Sequence, residues 1–316
     1  MTAHHLDPIG GALHGVFSPE REPILTVDPG DSVTVSVLDA GWHLLEQPRP
    51  LAYDALLQQP SSPAEARSGH CLIGPIAVRG ARAGQTLEVR IQEVVPATWA
   101  WGAAGGWDTA LNNALGLGEG GEQERLVWEI DQELCRARNQ HGDVVRLRPF
   151  PGVVGMPPPE PGLHSTIPPR RWGGNLDCRE LIVGSRLFLP IPVDGALLSL
   201  GDGHGAQGDG ELSGIAVECG LQRLTVELHL HDLTLDMPRA ETPAGRITFG
   251  VADTLDEAAA LAVHGMLEWM GELWGVSRAR ALALASLVVD VRVTQAVNGV
   301  VGCHALLAED RIDVAR

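Results

Sequence analysis

Eleven residues, Gly201 to Glu211, read GDGHGAQGDGE and set Asp202, His204, Asp209 and Glu211 among five glycines. Glycine admits positive φ and close backbone approach, so such a stretch can wind tightly round a small object. Two carboxylates about 4 Å apart repel by roughly 4 kcal/mol at an effective dielectric near 20. A bound cation relieves that repulsion, and a shared proton is the other solution. Asp and His together suit Zn²⁺ or a similar divalent ion. The spacing matches no standard metal signature, and a glycine-rich surface turn with solvated carboxylates accounts for it equally well.

A second constellation is RWGGNLDCRE, Arg171 to Glu180. If it is extended, the period of two puts Asn175 and Asp177 on the same side. An Asx-turn entering a strand is the other reading. Cys178 would act as a thiol nucleophile only with a His partner and a lowered pKa, and the sequence shows neither. His229 and His231 share one strand face and could chelate metal or form a solvent-facing polar row. Trp99, Trp101 and Trp107 would wall a pocket or anchor a loop.

These residues need a scaffold. Residues 24–38 read as two strands around the turn Asp28-Pro29-Gly30-Asp31, and residues 74–95 repeat that plan. Leu87, Val89 and Ile91 alternate with Glu88, Arg90 and Gln92. One buried and one wet face are typical of an antiparallel sandwich or barrel. Residues 96–125 read as a long glycine- and tryptophan-rich loop, and 126–148 as a hairpin turning at Gln140 to Asp143. The proline- and glycine-rich stretch 149–175 reads as an ordered irregular loop over a site. Strands are expected in 181–200 and 212–232. After residue 252 the character changes. Thr254 and Glu257 form a capping box, a helix runs to Gly275, a second starts at Ser277, and a strand follows.

The formal net charge of −17 works against DNA, RNA and anionic membranes as partners. Five scattered cysteines, never in a CxxC pair, fit neither a disulfide framework nor a zinc knuckle, and suit a reducing cytoplasm. The N-terminus lacks a signal-peptide pattern, and no apolar run reaches the ~18 residues of a membrane span.

The stretch RWGGNLDCREL…GSRLFLPIPVDGALLSLGDGHGAQGDGELSGIAVE, residues 171–218, resembles the acetamidase/formamidase family. It follows that family's GGN-x-D, its strand ending LPV-x-V-x-GALF, its GD-x-HA-x-x-GDGE and its GxxxE strand. SGHCLIGPIAVRGARAGQTLEV (68–89), VTVSVLDAG (33–41) and VDVRVTQAVNGVVGCHALL (289–307) resemble three further family segments. The resemblance implies a mainly β fold. A jelly-roll-like β-sandwich core would span 1–250, and a C-terminal α/β extension, 251–316, would pack on it as part of the same unit. It further implies a homodimer or higher homo-oligomer that hydrolyses a small amide such as formamide or acetamide to the acid and ammonia.

Carried over by position, the resemblance implies metal ligands Asp39, Asp177, Asp202 and His204, with zinc as the expected ion. Glu218, Glu211 and Asp209 are candidates for acid–base work, and Asn175 for holding the substrate amide or the oxyanion. There are two departures. Many members have His where this chain has Trp172, and Asn where it has His70. If that His is a ligand in those members, His70 or His43 would have to compensate here, so His70, Trp172 and His43 are taken as substrate-pocket residues. Two alternatives stand beside small-amide hydrolysis: a larger or cyclic, lactam-like amide on the same scaffold, and a non-catalytic protein that binds a small amide.

Overall fold

The structure, a computed structural model, describes residues 2–8, 11–42 and 69–314; the pocket candidate His43 lies outside them. The period-two segments become strands for the expected reason. Val33, Val35 and Val37 of Ser32–Val37 are buried, while Ser32, Thr34 and Ser36 are half-buried. Leu224, Val226 and Leu228 do the same in Leu221–His231. Among the described residues these strands belong to a nine-stranded sheet, in which Val226 faces Val33 on one neighbour and Ile91 on the other.

Among the described residues a second, eleven-stranded sheet has Leu198–His204 near its centre. Phe150–Gly155 pairs along one edge of that strand. Leu72–Val78 and Glu218–Cys219 share the other edge. One hydrophobic cluster joins the sheets, with Val33, Leu87 and Val226 from the first and Ile76, Val154 and Leu200 from the second. Burying one such side chain fully contributes about 1.5–3 kcal/mol, so this shared core holds the two layers as a mainly β fold.

The helix Leu255–Trp274 begins where Thr254 Oγ1 accepts the Glu257 N–H and donates to the Glu257 carboxylate. It ends at Gly275, whose φ of 64° is the left-handed stop that glycine takes at little cost. Ala258, Ala262, Met266 and Met270, one helical face, pack on Cys303, Ala305 and Leu307. The strands Val289–Gln295 and Val301–Leu307 continue the nine-stranded sheet beside Gly245–Ala252. Among the described residues no helix is long and apolar enough to cross a membrane.

Three segments differ from expectation. Residues 96–125 are not a loop throughout, since Trp99–Ala104 is a strand paired with Glu124–Asp131. Its glycine and alanines hide the alternation that marks other strands. The irregular stretch 149–175 contains Phe150–Gly155, buried at all six positions. Pro151 and Gly152 break its pattern in the sequence, but Pro151 still pairs with Gly203. The hairpin 126–148 is a three-stranded meander, with an additional turn before Arg136.

Glu88 is a buried charge that the sheet must satisfy. Arg90 Nε at 2.7 Å, Arg186 Nε at 2.6 Å and His231 Nε2 at 2.6 Å all bond to its carboxylate. Burial works to raise its pKa, but the three partners outweigh that and hold it at about 2. A depressed carboxyl contributes stability above its ordinary value of 4.5 and loses it as pH falls towards about 2. The arginines are partly exposed, so solvent screens some of the gain. Glu88→Gln is therefore expected to cost about 2 kcal/mol at neutral pH, shrinking through that acid window, in urea titrations at a series of pH values.

Candidate active site

The site is built round the end of Leu198–His204. A Cβ on Gly201 would lie 2.4 Å from the Cys71 carbonyl oxygen, and one on Gly203 at 2.4 Å from that of Cys219. These glycines are therefore needed for close approach of neighbouring strands rather than for a free loop. The residue in the left-handed region is Asp202 between them, at φ 58°. Asp177 at 47° and Glu211 at 46° share that conformation. Non-glycine residues held this way cost on the order of 1–3 kcal/mol each and persist where the surroundings fix them, commonly at functional sites.

Pairing brings the segments together. His204 lies opposite Glu218 on one side and Phe150 on the other. Asn175 pairs with Val153, and the Leu176 and Asp177 N–H groups both donate to the Gly152 carbonyl. Two residue groups result, Asp177–His204–Glu211 and Asp202–His204–Glu218, each with ligand-capable atoms within 4.8 Å of one another. His204 belongs to both, with Nε2 3.4 Å from Asp202 Oδ2 and 3.5 Å from Glu218 Oε1. All five side chains are buried.

Gln207 fixes the imidazole. Its Nε2 donates to the Asp177 carbonyl at 2.7 Å, which turns Oε1 towards His204 Nδ1 at 2.8 Å. Nδ1 must then carry a hydrogen, and Nε2 faces the carboxylates. Phe150 packs edge-on against the ring, with centroids 5.1 Å apart. Asn298 Nδ2 holds Asp177 Oδ2 at 3.0 Å.

Burial pushes the Asp177 and Glu218 carboxyls well above the usual carboxylate range, and neighbouring carboxylates add to it. Burial also lifts Glu211, to about 7. Asp202 goes the other way: burial opposes its ionisation, but His204, then His70, hold it below the usual range. Burial resists protonation of His204, yet the Glu218 and Asp202 charges raise it well above its ordinary value.

A divalent cation fits this donor set. Asp177 Oδ1, Asp202 Oδ1, Glu211 Oε2 and Glu218 Oε2 are buried with no hydrogen-bond partner among the described residues. Four carboxylates and one imidazole are hard and borderline donors of the kind Zn²⁺ and similar ions accept.

The remaining candidates lie around this centre. Asp209 is partly exposed and faces Arg179 and Arg292 at 3.6 and 3.8 Å. Asp39 is buried and accepts from Trp101 Nε1 at 2.9 Å, outside the two groups of clustered ligand atoms. Asn175 donates Nδ2 to the Ile167 carbonyl, and its Oδ1 has no partner among the described residues. His70 bonds to Thr166 Oγ1 at 3.0 Å. Trp172 is half-buried, and its carbonyl accepts from the Met156 N–H. His229 and His231 bond to Glu227 and Glu88 in a polar row. Burial pushes the Cys178 thiol up, against a nucleophilic role. Beside Glu211 opens a cavity of about 410 Å³ lined by Ala103, Leu126, Trp128, Leu212 and Val217 among others.

The model of the Acetamidase/Formamidase family matches residues 7–165 and 160–241. The chain belongs to this family. An acetamidase of Mycolicibacterium smegmatis is 27% identical over 199 residues, 46% of this chain and 49% of that protein. A formamidase of Methylophilus methylotrophus is 25% identical over 254 residues, 64% of this chain and 60% of that one. The chain thus spans about half to three fifths of these relatives' length. Among solved structures, the acetamidase of Bacillus halodurans superposes with a TM-score of 0.82 at 28% identity, covering 96% of this chain and 97% of that one. A gamma lactamase from Delftia acidovorans, 20% identical with a TM-score of 0.62 over 98% of this chain and 94% of its own, shares the fold.

Gln207, Asn298 and Gly152 are site residues that sequence reasoning passed over. Gln207 stood within the Gly201–Glu211 motif, three residues after His204. The other two carried no local signal, since a loop Asn and a Gly beside proline gain meaning only from the pairing above.

Proposed function

We propose that the chain is a metal-dependent amidohydrolase that cleaves a small linear non-peptide amide to a carboxylate and ammonia. The observation that carries this reading is a cluster of four buried carboxylates round one oriented imidazole, each carboxylate with one oxygen that has no hydrogen-bond partner among the described residues. Family membership supports the class of reaction. Asp177, Asp202, His204 and Glu218 would hold the ion, and that N/O donor set places zinc first on grounds of ligand type. When bound, a divalent cation lowers the pKa of water and polarises the amide carbonyl.

The chain's own groups supply the proton transfers. Glu211 lines the cavity, whereas Glu218 is turned inward with Oε1 accepting the Ala216 N–H. Glu211 is therefore assigned to take the proton from water and return it to the departing nitrogen, because an amine leaves only once protonated. Asn175 offers an acceptor, Oδ1, which suits the substrate's amide N–H rather than an oxyanion. Gln207 keeps His204 in the Nδ1–H tautomer. Gln207→Leu is expected to lower metal affinity or kcat by about 10–100-fold, measured by metal titration and steady-state kinetics.

The apolar lining beside Glu211 favours one second reading, an amide with a longer acyl chain or a lactam. Five unpaired cysteines support a cytoplasmic setting. A homo-oligomer completes the reading, and sedimentation would give its number. The deciding experiment measures ammonia release from formamide, acetamide, longer amides and a lactam, before and after chelation and zinc return. Loss on chelation with recovery on zinc is expected. Full activity in protein verified metal-free would overturn the metal assignment. Tight binding of an amide with turnover of none would make the chain a binding protein instead.

A further inference from the structure

A second cluster lies behind the active-site turn. Cys178 Sγ is 3.5 Å from Glu180 Oε2, and His304 Nε2 is 3.8 Å from that same oxygen. All three ligand-capable atoms lie within 4.8 Å of one another, and all three residues are buried. Tetrahedral zinc, with bonds of about 2.3 Å to sulfur and about 2.1 Å to nitrogen and oxygen, sets sulfur and oxygen roughly 3.6 Å apart and nitrogen and oxygen roughly 3.4 Å apart. The observed separations already approach those edges.

An independent observation points the same way. His304 is 0% exposed, and its Nε2 has no hydrogen-bond partner among the described residues. Thr294 Oγ1 lies 2.8 Å from Nδ1. With the hydroxyl accepting the Nδ1–H, the Nε2 lone pair faces Glu180 and Cys178, the arrangement that orients a metal-ligating histidine. The carboxylate is divided in the same sense. Glu180 Oε1 faces Arg292 Nη1 at 3.3 Å and Arg179 Nε at 3.4 Å, which leaves Oε2 to the thiol and imidazole. Asp209 sits between those two arginines and offsets their charge.

We propose that Cys178 Sγ, Glu180 Oε2 and His304 Nε2 form a second metal site, selective for a thiolate-accepting divalent cation such as Zn²⁺ and separate from the active-site cluster. On binding, the Cys178 S–H bond breaks, a sulfur–metal bond forms and the proton leaves to solvent. The two sites share backbone but no ligand. Asp177 turns at φ 47°, sending its own side chain to His204 and Glu211 while Cys178 reaches Glu180 and His304. The cation would tie that turn to the hairpin Val289–Leu307, which also contributes Asn298 to Asp177. Its role is positioning, not chemistry on the substrate.

Sulfur separates this site from the active-site cluster, which has none among its five clustered groups. Protein produced in cobalt-supplemented minimal medium is expected to show a thiolate-to-cobalt charge-transfer band in the near ultraviolet. Cys178→Ser should abolish the band and lower metal content by one ion per chain, while Asp202→Ala should keep it. Cys135→Ser, which removes the exposed thiol, should also keep it. Should Cys178→Ser not fold, His304→Gln serves, with the band weakened or shifted. Absence of the band in the unaltered protein, its survival in Cys178→Ser, its loss in Cys135→Ser, or an unchanged band in His304→Gln would overturn the proposal. None of these readouts depends on amide hydrolysis.

Discussion

Asp202→Ala protein is expected to lose about a thousandfold or more in kcat/KM and to lose its high-affinity active-site metal. A cation polarising the carbonyl supplies several kcal/mol of transition-state stabilisation, and about 4 kcal/mol corresponds to about a thousandfold in rate. Asp202 stands against His204 Nε2 at 3.4 Å, and its Oδ1 is one of the unpartnered buried oxygens. Removing it takes out a ligand and also the carboxylate that His204 and His70 hold in its charged form. Asp202→Ala should therefore be less stable than the parent even with metal chelated from both, as well as inactive. Zinc should raise the melting temperature of the parent, by an amount corresponding to about 4 kcal/mol for the active-site ion at a thousandfold excess over Kd, and should raise that of the variant by less, through the Cys178–Glu180–His304 site alone. Glu211→Gln makes the contrast. It should keep the metal-induced shift and lose about 10²–10⁴ in kcat, the range for a proton-transfer group. An Asp202→Ala protein that hydrolyses amides at the parent rate after chelation would refute the metal role.

The contrast between these two carboxylates shows what the sequence could and could not reveal. Strands whose pattern is local, such as Ser32–Val37 and Leu221–His231, announce themselves, because alternate Val and Leu side chains meet one core. The helix from Thr254 to Gly275 does so too, since cap and stop lie in the chain itself. Phe150–Gly155 does not, because its burial is set by strands on either side and its own Pro151 and Gly152 read as loop. At the site, Asp177, Asp202, His204, Glu211 and Glu218 converge from three segments that the family resemblance, rather than spacing alone, marks out. Asp209 carries the same chemistry two residues before Glu211, yet the arginines at 179 and 292 draw it outward. Asp39 is engaged by Trp101. Which carboxylate enters the buried cluster is decided by neighbours remote in sequence, and residue type alone is silent on that.

Gly152 is the sharpest case, and Gly152→Ala is expected to lower kcat about a hundredfold while the protein stays folded. Gly152 falls between the pairs Pro151–Gly203 and Val153–Gly201, which brings it level with Asp202. A Cβ there would stand 2.7 Å from Asp202 Oδ2, 2.8 Å from His204 Cε1 and 2.9 Å from Asp177 Oδ1. All three atoms belong to the cluster, and none is the end of a long flexible chain. Asp202 is fixed between two packed glycines, and His204 by Gln207 and Phe150. The added methyl must displace donors or tilt the strand. A misplacement of about 1 Å at reacting groups costs about 10²-fold, and overpacking a core costs typically about 1–3 kcal/mol. Gly152 does not occupy the positive-φ region, so alanine meets no backbone strain there and the effect is confined to the methyl group. Gly208→Ala in the neighbouring motif is the matched control, for its Cβ would meet nothing within 4 Å and its φ is also ordinary. It should retain the parent's kcat and metal affinity. If Gly152→Ala did the same, the geometry assigned to Asp177, Asp202 and His204 would be untenable, because the methyl would occupy the space those three groups are held to define.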